Sequence, residues 1–210
     1  MTKIEKQSEA RIIDLNELFP DIERMPVSSK LRTYLRQLSL EISQGNVLEN
    51  NPYLARLVTE SSLFLPEMFT ERWVKHWEYR VAIALENSWV SSSLDFAVNR
   101  EDEVLVIDWS GIGSDRIAVS QAYLISQKLD LEPKNVSVVS LIANPLNVNE
   151  DRRINFIRRL FEDNDFYICQ QELSERLVLL VRGEDLNPEL ELKEFNPLLD
   201  IETIPEIVID

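Results

Sequence analysis

Hydrophobic residues in this chain recur with two periods, and the changes of period mark the predicted elements. Over 27–45, Leu31, Leu35, Leu38 and Ile42 recur at helical spacing, Ser28 or Ser29 can cap the start, and Gly45 stops it. Over 66–88, Val74, Trp77, Val81, Ala82 and Leu85 form an apolar stripe behind Pro66, Glu67 and Glu71, residue types suited to a first helical turn. This spacing predicts a second helix. Glu78 lies within that stripe, an unusual place for an acid. It either faces a site or borders the stripe and pairs with an Arg or Lys.

The pattern then turns β-like. Residues 89–99 (WVSSSLDFAVN) read as a strand, REDE as a turn, and VLVIDWS as a β-branched strand whose continuous apolar run suggests a covered, central position. GIGSD is a loop, 116–131 a helix with Ile117, Ser120, Gln121 and Leu124 toward the sheet, and 136–145 another buried-type strand. Residues 149–163 (NEDRRINFIRRLFED) predict an amphipathic helix with a basic side, and FYICQQ and RLVLLVRG predict late strands. The order is that of an α/β protein with a mixed central sheet flanked by helices. The expected organisation is a helical lead-in over 1–65, an α/β core over 66–182 and an acidic tail over 183–210.

Composition narrows the chemistry. Cys169 is the single cysteine and His76 the single histidine, which argues against a disulfide framework, a thiolate or His-based zinc site and a Ser-His-Asp triad. With four glycines and no phosphate-cradling pattern, a Gly-rich phosphate loop is not expected either. A bound metal would be a hard ion on carboxylates, Mg²⁺ or Mn²⁺. The net charge of −15 disfavours nucleic acid as a partner and leaves a protein partner the better expectation. No apolar run reaches the roughly 18 residues of a membrane span, and the mixed-charge start is unlike a secretory signal. No membrane association and a cytoplasmic location are expected.

The acids are placed suggestively. If 89–99 and 103–108 form a hairpin, Asp95 and Asp108 lie near matching strand ends. Two adjacent carboxylates repel unless a cation separates them. With Glu78 they could form a hard-metal site able to activate water. Each other feature has a plainer reading beside a functional one. Trp73, Trp77, Trp89 and Trp109 are packing residues or base-stacking platforms, and Cys169 a small buried apolar group. Arg152, Arg153, Arg158 and Arg159 neutralise nearby acids or meet phosphates, and the smaller stripe of Lys30, Arg32 and Arg36 has the same two readings. The tail reads as a docking segment or a strap across the domain.

The block from SSLDFAVNREDEVLVIDWSG to AVSQAYLISQKLDLEPKNVSVVSLIANP resembles the PD-(D/E)XK nuclease superfamily, in particular its RecB-like branch, over about 66–145. The resemblance implies a restriction-endonuclease-like core. Glu78 stands for the helix glutamate, Asp95 for the first aspartate, Asp108 for the acid of the second motif, Gly111 for the small residue after it, and Gln121 with Tyr123 for the helix motif. It implies Asp95, Asp108 and Glu78 as ligands of Mg²⁺ or Mn²⁺ and a role in DNA processing. The family's lysine position, however, is Ser110, and the Gln-to-Tyr interval is short. A neutral hydroxyl supplies no positive charge to a phosphoryl transition state, a loss on the order of 100-fold or more in rate. Lys128, seven residues after Gln121, and Arg116 are candidates for a displaced lysine.

Three readings follow. The first is a catalytically impaired nuclease-like protein acting as a binding or assembly component. The second is an active Mg-dependent endonuclease or exonuclease with Glu78, Asp95, Asp108, Gln121 and a relocated Lys128. The third is a structural α/β interaction module.

Overall fold

The structure is a computed structural model of the chain, described for residues 11–20, 29–44, 65–109, 115–143, 153–184, 186 and 198–205. It is an α/β protein. Seven strands form one mixed sheet: β1 (Ile12–Asp14), β2 (Val74–Leu85), β3 (Ser88–Arg100), β4 (Glu103–Asp108), β5 (Val136–Ala143), β6 (Arg153–Leu160) and β7 (Leu198–Pro205). Helices α1 (Leu15–Leu18), α2 (Ser29–Ser43), α3 (Asp115–Leu129) and α4 (Asp163–Arg182) accompany them. The pairs β1/β3 and β4/β5 are parallel and the others antiparallel.

Two apolar layers close the sheet. On one face, Val104, Val106, Val136 and Val138 pack with Ile117, Val119 and Leu124 of α3 and Phe166, Leu173 and Leu177 of α4. On the other, Phe96, Val98, Leu105, Ile107 and Trp109 pack with Leu35 and Leu38 of α2 and with Met68. The expected hairpin is present: Arg100 pairs with Glu103, and Glu101, in the two-residue turn, takes φ 49°. α2, α3 and β5 also lie where the hydrophobic pattern puts them.

Three elements differ from the pattern. The helix predicted over 66–88 is a 3₁₀ turn (Pro66–Met68) followed by strand β2. Trp77, Val81 and Leu85 fit a four-residue spacing, but Val81, Ile83 and Leu85 are equally a two-residue alternation, and all three are buried. Pairing with β3 along its whole length decides for the strand. The helix predicted over 149–163 is β6, held between β5 and β7. The two late strands are one helix, α4. Its start carries a reciprocal capping box of Glu162 and Asp165. Its end carries Gly183 at φ 70°, whose N–H reaches the Leu179 and Leu180 carbonyls. Buried Phe166, Cys169, Leu173 and Leu177 recur at helical spacing.

The division into lead-in, core and tail does not divide the sheet. β1 from the lead-in pairs with β3, and β7 from the acidic tail pairs with β6. Over 198–205 the tail forms an edge strand of the sheet. No described helix is long and apolar enough to cross a membrane.

Candidate functional site

β3 is the strand on which the candidate site is built. β2 pairs along one edge of β3, from Ser88 to Asn99. The opposite edge is shared: β4 pairs with 96–100 and β1 with 89–91. β1 ends at Asp14, beside Ser91, and β4 ends at Asp108. Both strands therefore finish at a gap in the sheet, and no described strand pairs with residues 92–94 on that edge.

The register Phe96↔Ile107, continued by one residue, sets Asp95 opposite Asp108. The pleat reverses at the same level. Leu94 and Phe96, two residues apart, enter opposite cores, as do Tyr79 and Trp77 on β2. Between the latter pair lies Glu78 at φ 48°, a left-handed conformation rare for a non-glycine residue. The three acids singled out in the sequence thus meet where two strands kink together. Glu78 arrives on a strand rather than on the predicted helix.

They line one cavity of about 230 Å³ with Leu15 and Asn16 of α1, Arg36 of α2, Arg80 of β2, and Ile117 and Gln121 of α3. Asp95 and Asp108 are buried and Glu78 is exposed. Asp95 accepts the Trp109 backbone N–H at 3.0 Å on Oδ2, and its Oδ1 lies 3.2 Å from Arg36 Nε. The same guanidinium donates from Nη2 to Glu78 Oε1 at 3.1 Å and stands over the Trp77 ring at 5.7 Å. Gln121 Nε2 donates to Asp108 Oδ2 at 3.0 Å. The buried Oε1 of Gln121 has no hydrogen-bond partner among the described residues.

α2 is held over the cavity by Trp109. Its indole N–H donates to Ser39 Oγ at 2.8 Å, and that hydroxyl donates to the Leu35 carbonyl. Trp109 is accordingly a packing residue, 1% exposed. Arg36 belonged to a basic stripe in the sequence, but its task is specific: it cross-links two of the acids. The only signal pointing to this was the reading of Glu78 as a partner for an Arg or Lys. Arg80 carried no signal at all.

Mg²⁺ or Mn²⁺ does not fit this arrangement. The Arg36 guanidinium stands between Glu78 and Asp95, where a cation shared by the acids would lie. Among the described residues, no three His, Cys, Asp or Glu side chains are grouped closely enough to hold a metal ion. Lys128 is not brought to the acids: it is exposed in the last turn of α3, about 10 Å along the axis beyond Gln121, and does not line the cavity. Arg116 turns instead toward α4, where its Nη1 lies 3.0 Å from Glu172 Oε1. Tyr123 is core, edge-on to Phe166 at 5.8 Å. Burial pushes its hydroxyl up to about 12. Arg158 and Arg159 pair with Glu67 and Asp115, so the neutralising reading holds for these two. The position of the missing lysine, Ser110, and Gly111 lie outside the described residues.

No protein-family model matches the chain, and no curated protein does. Among solved structures, one titled "Crystal structure of SSO0001" is similar at 13% identity, covering 82% of this chain and 78% of that one, with a TM-score of 0.37.

Proposed function

We propose that the chain is a nuclease-like protein with an impaired catalytic site that serves as a binding or assembly component, in the setting of DNA processing. One observation carries this reading: Arg36 pairs with both Glu78 and Asp95 from within the chain. An internal guanidinium reduces the repulsion between these two acids without a metal ion, and it has no open coordination position at which to activate a water. The remote position of Lys128 and the net charge of −15 support the same reading.

A plasmid-nicking assay over a Mg²⁺ and Mn²⁺ titration tests it, with Asp108→Ala as control. The expected result is no nicking by either protein. Nicking by the wild type that Asp108→Ala abolishes would establish the alternative, an active metal-dependent nuclease.

A further inference from the structure

At opposite ends of the cavity, by the gap in the sheet, two polar groups lack an ionic or hydrogen-bond partner among the described residues. At the inner end, Gln121 is 3% exposed, and its Oε1 is buried with no hydrogen-bond partner among the described residues while its Nε2 is engaged by Asp108. A buried carbonyl oxygen in that state is an acceptor waiting for a donor. At the outer end, Arg80 sits across from Ser93 on the exposed side of the strands and makes no ion pair among the described residues. Between these ends runs the stretch of β3, 92–94, with no described strand on one edge, a place where an extended chain of amides can add its own hydrogen bonds. The cavity of about 230 Å³ equals the liquid volume of roughly eight waters. Such a space suits a ligand of about that many heavy atoms.

We infer that this gap binds a small amino-carboxylate zwitterion of dipeptide size, its ammonium toward Gln121 and Asp108, its carboxylate toward Arg80, and its amide along β3. The inference rests on the reading that the site binds rather than hydrolyses. It makes the ligand complementary to the layout of charge: acceptors at the closed end, a guanidinium at the open one, with Arg36 paired to Glu78 and Asp95 between them.

Thermal melting of the full chain with glycylglycine tests the inference, against N-acetylglycine, which lacks the ammonium, and glycinamide, which lacks the carboxylate. Glycylglycine is expected to raise the melting temperature in a dose-dependent way, with both controls at least fivefold weaker. Gln121→Leu and Arg80→Glu should each abolish the response. Arg80 is exposed, so its variant keeps the test decisive should Gln121→Leu fail to fold. No response to glycylglycine, an equal response to either control, or an unchanged response in Arg80→Glu overturns the proposal. Absence of dipeptide binding together with absence of nicking removes the ligand and leaves the binding reading standing. Nicking that depends on Asp108 removes that reading, whatever the dipeptide does.

Discussion

Arg36 Nε lies 3.2 Å from Oδ1 of the buried Asp95, so the charge of a sheet residue is balanced by a helix that the chain has already laid down many residues earlier. Arg36→Ala takes that guanidinium away from the carboxylate. Removing one partner of a fully buried pair costs about 3–5 kcal/mol, but the Arg36 side chain is 40% exposed, and solvent screening lowers the expectation to about 1–3 kcal/mol. Asp95→Asn in the same chain keeps an oxygen for the Trp109 N–H and removes the charge. Urea unfolding should show the double variant recovering most of the loss. Simple additivity of the two substitutions would mean that the pair is not coupled.

Trp109 ties the same two elements by a different route. Its backbone N–H is held by Asp95, and its indole N–H by Ser39 of α2. Trp109→Phe keeps the first bond and removes the second, along with part of a buried ring. The expected cost is about 1–3 kcal/mol, with hydrogen exchange in α2 accelerated more than in α3. A change within about 0.5 kcal/mol and uniform exchange would show that α2 is held by Leu35 and Leu38 alone.

The hairpin carrying Asp95 and Asp108 was legible because its signals were local: a β-branched run, a charged two-residue turn, and acids at matching distances from it. β2 was not, because Trp77, Val81 and Leu85 satisfy a helical spacing as well as a strand one, and only pairing with a distant partner separates the two. α4 was missed for the opposite reason. Its apolar cluster LVLLV looks like a strand, while the capping pair Glu162 and Asp165 and the terminal Gly183 carry the helix signal at its ends. The pocket lies between these cases. Its acids could be picked out from order alone, but Arg36 and Arg80 enter it through the kink at Glu78 and the break between β1 and β4. Neither feature leaves a mark on hydrophobic periodicity.

Glu172 joins three elements beneath the cavity. Its Oε1 lies 3.0 Å from Arg116 of α3 and 3.1 Å from Arg176 of α4, and Arg176 donates onward to the Leu18 carbonyl of α1 at 2.8 Å. Arg176 is 1% exposed. Glu172→Gln removes a negative partner from that buried guanidinium and should cost about 3–5 kcal/mol in chemical denaturation. Replacing both Glu172 and Arg176 with Met removes the charges together and should cost less than Glu172→Gln alone. A larger loss in the double variant would show that Arg176 acts chiefly through its bond to Leu18 and its stacking on Phe19.

Cys169 makes the stability depend on alkaline pH. Burial pushes its thiol up from 9.0 to about 12, outweighing the hydrogen bond to Ser120. The folded chain therefore holds this proton more tightly than the unfolded one. That contribution is complete below the thiol's ordinary value and is lost as pH rises toward 12, at up to about 1.4 kcal/mol per pH unit. Tyr123, also raised by burial, adds its own loss above its ordinary value of 10.0. Between pH 8 and pH 10.5, the urea midpoint should fall further for the wild type than for Cys169→Ala, whose remaining decline includes that of Tyr123. The same burial predicts that a disulfide reagent at pH 8 leaves the native thiol unmodified and labels it only in urea. Equal alkaline declines in the two proteins, or rapid native labelling, would place Cys169 at the surface of the α3–α4 layer rather than inside it.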